Sequence, residues 1–223
     1  MDTREFIACC KIVSPYFFLP APRIPADSGR RPLRRLGPPH CYNRPPVSEF
    51  TSTTVLMVRR DESICMISDG QVTFNDTVLK ASAGKVKRTG KGRVLVGFAG
   101  GAADGLALFT RFEGKLDEFQ GNLERAVVEL AKDWRTDRAL RQLQAQMIVA
   151  DADKSFLVSG NGDLLQPDEG LLAIGSGANY ALAAARALLG HTALGARELA
   201  EEAMKVAAEI CIYTNSHFTV EEL

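Results

Sequence analysis

Thr53-Thr54-Val55-Leu56-Met57-Val58-Arg59-Arg60 stands where a proline- and arginine-rich leader gives way to short apolar runs and amphipathic stretches. Two threonines open an apolar run of the length a buried strand needs, and threonine is itself a good strand former. The same residues admit a second reading. A threonine hydroxyl is a weak nucleophile that needs a base, and a freed α-amine on the same residue can serve. The reference pKa of an α-amine, about 7.7–8.0, lies near working pH, whereas that of a lysine is about 10.4. If the chain is cut before Thr53, one residue supplies both nucleophile and base.

Upstream, residues 1–52 hold nine of the ten prolines and the basic knot Arg30-Arg31-Pro32-Leu33-Arg34-Arg35. Proline locks φ and removes an amide donor, so this segment reads as a leader, removed or unstructured. Residues 53–223 remain as a single domain, long enough for a comfortable core. The leader has more arginine than acid and carries Phe6, Ile7, Tyr16, Phe17 and Phe18, which fits an organellar import signal. Lys11 and Pro15 interrupt the apolar stretch that a secretory signal needs. The expected location is the mitochondrial matrix or a related organelle, with the cytoplasm as the alternative. After Met1 the next methionine is Met57, beyond Thr53, so exposing Thr53 requires proteolysis.

Charge and cysteine usage narrow the function. The chain has 27 basic and 27 acidic residues. Because the leader is basic, the domain is mildly acidic and offers no electrostatic case for nucleic-acid binding. Lys85-Val86-Lys87-Arg88, judged on charge alone, is a solvated edge. Only Cys65 and Cys211 lie in the domain, each inside an apolar run, so neither a disulfide framework nor zinc spacing is present. Three scattered histidines argue against a histidine-based metal site, and no apolar run approaches the ~20 residues of a membrane span.

Periodicity then orders the domain. Strands are expected at 53–58 and 64–67, apolar on both faces and joined as a hairpin, then at 77–80, 86–89 and 93–99. Leu106, Phe109, Phe112, Leu116 and Phe119 mark one helical face, and Leu123, Val127, Leu130 and Trp134 mark a second helix. Strands return at 146–150, 155–158 and 171–174, with turns at Asn161-Gly162-Asp163 and Pro167-Asp168-Glu169-Gly170. Helices at 179–189 and 196–212 close the chain, the latter with Leu199, Ala203, Val206 and Ile210 inward. Strands apolar on both faces need cover on both sides, and two sheets packed between helix layers supply it. A doubly wound parallel fold, the competitor, expects strict alternation of strand and helix.

Several longer stretches carry a family likeness: TTVLMVRR (53–60), SDGQVT (68–73), GKVKR (84–88), VGFAGGAADGLALFTRFEGKL (96–116), VELAKDWRTDRALR (128–141), SGNGDLLQP (159–167), AIGSG (173–177) and ICIYTNSHFTVEEL (210–223). Over these residues the chain resembles the HslV (ClpQ) family, the peptidase subunits of the ATP-dependent HslU–HslV protease and relatives of proteasome β-subunits. The resemblance spans the domain from Thr53 to Leu223. It implies an α+β fold, the four-layer αββα sandwich of N-terminal-nucleophile hydrolases, in agreement with the pattern.

The resemblance also implies site residues. Asp69, by itself a turn former at a strand end, would orient the threonine and a neighbouring lysine. Lys85 would be a buried ammonium beside the Thr53 hydroxyl, favouring the alkoxide and lowering the α-amine pKa. Acyl transfer needs donors aimed at the developing oxyanion. Gly97 is the candidate backbone donor because glycine admits close approach, although it also reads as a strand-end kink. Ser176 corresponds to an accessory serine near the threonine amine. It is not itself a nucleophile, since Ile174 and Ala178 stand where G-x-S-x-G needs glycines. Gly97, Gly100 and Gly101 also miss the dinucleotide fingerprint.

Ala208, Cys211 and Thr214 match positions that bind a monovalent cation, sodium, through backbone carbonyls. Ala208 stands where relatives often have glycine, and Cys211 alone reads as a small buried residue. The implied partners are an HslU-type ATPase, which would bind ATP because this chain has no P-loop, unfolded protein substrates, and further copies in two stacked hexameric rings. Ser52 stands where self-cleaving proteasome subunits have glycine, which points to a separate presequence peptidase. Two other readings are open: a ring-forming scaffold whose Thr53 is never exposed, and a leader that anchors a soluble domain at a membrane surface.

Overall fold

The computed structural model describes residues 50–51, 53–137, 145–159 and 162–223. The expected leader lies outside these residues except for Phe50 and Thr51, and so does Asn161 of one expected turn. β2 (Thr54–Arg60) and β3 (Ser63–Ser68) form the anticipated hairpin, with Arg60 opposite Ser63. Its loop is two residues long, and Asp61 takes φ 56°, the left-handed conformation that tight hairpin loops use.

β11 (Leu171–Gly175) flanks β2 and β12 (Thr219–Glu222) flanks β3, completing a four-stranded sheet. A five-stranded sheet runs β10 (Leu164–Leu165), β9 (Ser155–Val158), β8 (Ala145–Ala150), β7 (Val94–Gly100) and β6 (Val86–Thr89). A small third sheet joins β1 (Phe50–Thr51), β4 (Val72–Phe74) and β5 (Thr77–Lys80). Every pairing among the described residues is antiparallel. That pattern is incompatible with a doubly wound parallel sheet.

Period-two alternation explains why both faces of the central strands are apolar. Val55, Met57, Ile64 and Met66 meet Leu95, Ala99, Ile148 and Ala150 in a core between the two large sheets. Leu56, Val58, Cys65 and Ile67 turn the other way and pack beneath α3 (Ala178–His191) and α4 (Ala196–Ile210). Val94, Val96, Met147 and Val149 likewise meet α1 (Ala102–Glu118) and α2 (Leu123–Thr136), around the fully buried Phe112 and Trp134. Three cores separate four layers: helices, sheet, sheet, helices. This is the expected αββα sandwich.

Two helical faces differ from expectation. In α1 Leu106 is exposed, and Leu108 is buried beside Phe109 and Phe112. In α4 Val206 and Ile210 are exposed, whereas Ala200, Met204 and Ala207 are buried with Leu199 and Ala203. α4 packs against both its sheet and α3, and small side chains allow that double approach, so its buried stripe follows the alanines. It ends at Ile210, two residues short of expectation, because Cys211 is extended (φ −93°, ψ 113°). The short strands β4, β10 and β12 carry too little pattern to be read in advance. No helix among the described residues is long and apolar enough to cross a membrane.

Candidate active site

β2 begins one residue after Thr53, and the end of β3 delivers Asp69 beside it. Asp69 is fully buried. Its Oδ1 accepts the Thr54 amide at 2.7 Å and the Lys85 ammonium at 2.8 Å, while its Oδ2 accepts the Gln71 amide at 2.8 Å. Lys85, immediately before β6, is only 4% exposed, and its Nζ also donates to the Gln71 carbonyl at 2.6 Å. Burial pushes the Lys85 ammonium below its ordinary value, against the opposing pull of Asp69. A lysine that looked like a surface cation on charge alone is thus part of a buried ion pair.

The other end of the site is closed by Gly175-Ser176-Gly177, between β11 and α3. The Ser176 amide donates to the Thr53 carbonyl at 2.8 Å, and the Gly177 amide donates to Thr54 Oγ1 at 2.8 Å. Glycine is required at both flanks. Gly175 has φ +94°, and a Cβ there would fall 1.8 Å from the Thr53 oxygen. A Cβ on Gly177 would lie 2.5 Å from both Thr54 Oγ1 and Thr214 Oγ1. Thr53 itself is 7% exposed. Thr53, Asp69, Lys85 and Ser176 therefore converge on the N-terminal end of β2.

Gly97 lies in β7 opposite Val86, next to Lys85 in the chain. A Cβ at Gly97 would fall 2.6 Å from Val55 Cγ1 and 2.9 Å from Met66 Sδ. Packing between the sheets is sufficient to require glycine here, whatever its backbone does. Among residues that sequence reasoning missed, Thr54, Gln71, Gly175, Gly177 and Asn215 all make contacts that shape the site. Their signal was only partial: Gly175 and Gly177 stood in a noticed motif, but nothing in the sequence alone says which backbone they approach.

Ala208 sits in the last turn of α4, where helix carbonyls lack intrahelical partners, and Cys211 and Thr214 follow in the next loop. The Cys211 carbonyl accepts the Thr214 amide at 3.0 Å, which leaves it a second lone pair. A hard cation takes oxygen ligands, so carbonyls at these three positions fit the expected sodium by type. No cluster of His, Cys, Asp or Glu suited to a metal ion occurs among the described residues. Cys65 is no alternative nucleophile: it is buried, and burial pushes its thiol up to about 12.

The αββα sandwich is the fold of the N-terminal-nucleophile hydrolases, and here a buried lysine–carboxylate pair lies beside the start of its central strand β2. The chain belongs to the proteasome subunit family, whose model matches residues 49–223, and within that family to the HslV group. It is 58% identical over 175 residues to the ATP-dependent protease subunit HslV of Thermosipho africanus, a match covering 78% of this chain and 99% of that protein. The corresponding subunit of Syntrophobacter fumaroxidans is 58% identical over 171 residues, covering 77% and 96%. Among solved structures, eukaryotic HslV from Trypanosoma brucei superposes with a TM-score of 0.73 at 43% identity, over 76% of this chain and 98% of that one. Thiobacillus denitrificans BPH shares the fold, with a TM-score of 0.62 at 22% identity over 76% of this chain and 97% of that one. Membership of this group makes the chain a protease subunit of the threonine-peptidase kind.

Proposed function

We propose that, once the chain is cut between Ser52 and Thr53, Thr53 is the nucleophile of peptide-bond hydrolysis. One observation carries the reading: Asp69 Oδ1 accepts both the Lys85 ammonium and the amide of the residue that follows Thr53. A buried cation is thereby held within one residue of a threonine whose α-amine cleavage would free. Thr53 Oγ attacks the scissile carbonyl carbon, and the α-amine takes the hydroxyl proton. That proton passes to the departing amine as the C–N bond breaks, leaving an ester on Thr53. Water, giving a proton to the same α-amine, then attacks the ester, releasing the carboxylic acid and restoring the hydroxyl. Lys85 stabilises the developing alkoxide and lowers the amine pKa, while Asp69 holds Lys85. Gly97 is the candidate backbone donor to the oxyanion, and Ser176, whose amide binds the Thr53 carbonyl, is the candidate accessory residue beside the amine.

The reading extends to partners and place. The HslV relatives are named as subunits of an ATP-dependent protease, so an HslU-type ATPase is proposed to unfold and feed protein substrates into a chamber formed by two stacked hexameric rings. A sodium-type ion on the carbonyls of Ala208, Cys211 and Thr214 would supply fixed positive charge that orders the loop after α4. The arginine-rich leader supports import into a mitochondrial matrix and removal there.

The test compares correctly processed wild type, Thr53→Ser and Thr53→Ala at equal ring content, after N-terminal sequencing of protein from its own cells. A mature start at Thr53 is expected. Thr53→Ser should cleave short peptides more slowly, since serine lacks the methyl that restricts χ1, and Thr53→Ala should be inactive yet assembled. Blocking the α-amine should silence wild type. An alanine variant as fast as wild type sinks the mechanism, and an intact leader in the cell supports the scaffold reading instead.

A further inference from the structure

The loop after α4 reaches three separate pieces of the site. Ile212 offers its carbonyl to Gln71 Nε2 at 3.0 Å, and the same nitrogen donates to Thr73 Oγ1 at 3.0 Å. Thr214 Oγ1 lies 2.7 Å from Thr54 Oγ1. Asn215 Oδ1 accepts the Gly70 amide at 3.1 Å, and its Nδ2 donates to the Ala81 carbonyl at 2.9 Å. Asn215 Oδ1 also accepts the His217 amide of its own loop at 3.1 Å. These contacts hold Thr54, the Gly70–Gln71 segment that follows Asp69, and Ala81 on the approach to Lys85.

We infer that Gln71 and Asn215 are positioning residues that brace the Asp69–Lys85 pair against the 211–217 loop. Gln71 is the link that makes the brace chemical as well as structural. Its side chain, 6% exposed, is latched to the loop, while its backbone binds both members of the pair. The amide donates to Asp69 Oδ2 and the carbonyl accepts from Lys85 Nζ. Asn215 holds the adjacent Gly70, and a Cβ at Gly70 would fall 2.3 Å from the Ala81 oxygen. The 70–71 segment and the chain leading to Lys85 are therefore packed in direct contact and share one amide clamp. Releasing either amide lets the Gln71 backbone drift, and with it the N–H that holds Asp69 and the carbonyl that holds Lys85. Neither side chain needs to touch substrate for this.

This inference rests on the Thr53 mechanism proposed above, and the experiment separates the two. Mature wild type, Lys85→Ala, Gln71→Met, Asn215→Ala and the double variant are assayed on a short fluorogenic peptide, with ring content and melting temperature recorded. Gln71→Met and Asn215→Ala should each lower kcat by about tenfold or more, because small misplacements of catalytic groups are costly. KM should stay within about twofold, since no substrate contact is removed. The double variant should lose about as much as the worse single one, because both cut one brace.

Wild-type kcat in both single variants overturns the inference, as does a rise in KM alone or a double-variant loss equal to the product of the two single losses. If Gln71→Met fails to assemble, the partly exposed Asn215→Ala carries the decision. A fully active Lys85→Ala would instead remove Lys85 from the proposed mechanism, and a fully active Thr53→Ala assayed alongside would overturn the Thr53 mechanism itself.

Discussion

Lys85 shows how one buried residue can answer to two demands. Its ammonium is held below the ordinary lysine value of 10.5, first by burial, with Asp69 pulling the other way. If the charged form is needed, the alkaline limb of kcat/KM should have its midpoint below 10.5. The stability contribution has the opposite sign. Between the lowered value and 10.5 the unfolded chain binds the lysine proton more tightly, so this group's contribution to stability rises with pH while activity falls. A pH profile of peptide hydrolysis beside pH-dependent denaturation would show both trends, and an activity limb at or above 10.5 would remove Lys85 from the mechanism. Lys85→Ala should lose at least about 10²-fold in kcat, the scale of one removed electrostatic stabiliser. Stranding a buried charge costs about 3–5 kcal/mol. Asp69 keeps its two backbone donors, from Thr54 and Gln71, so the variant should pay less than that and still assemble.

At the scale of elements, the site depends on how closely two strand ends approach. β11 runs antiparallel to β2, with Gly175 opposite Thr54, and its last residue must turn under the Thr53 carbonyl with positive φ. Gly175→Ala places a methyl where the Thr53 oxygen stands, so it should destabilise by at least about 1–3 kcal/mol and abolish hydrolysis. Gly114→Ala is the contrast. Gly114 lies within α1 with open space around its Cβ position, so alanine should stabilise by up to about 1 kcal/mol. Denaturant unfolding of both variants checks the pair, and equal effects would mean that the approach of β11 to Thr53 is not tight.

On the scale of the whole molecule, the uncut chain already has the complete αββα sandwich, with Phe50 and Thr51 paired to β4 just ahead of Thr53. In that state Thr53 has a peptide nitrogen and no α-amine, so the precursor should fold yet leave peptides uncleaved until the leader is removed. The absence of a P-loop adds a second expectation: degradation of folded substrates should need an added ATPase ring, and degradation by this chain with ATP alone would refute it.

Much of this was legible from residues in order. Strand and helix periods and the double-faced apolar strands were enough to indicate four layers, because alternation along a strand and recurrence along a helix are local consequences of backbone geometry. The family likeness carried Asp69, Lys85 and Ser176. Other features belong to the tertiary structure alone. Which face α4 buries was decided by its double packing against sheet and α3, which selected alanines over Val206 and Ile210. The burial of Lys85 was decided by the sheets that close over it, since a KVKR run reads as solvated until its neighbours are known. Gln71 and Asn215 stand in stretches that carry the family likeness, but their role was not legible there, because an amide side chain takes its role from backbone that comes within hydrogen-bond reach only when distant segments meet.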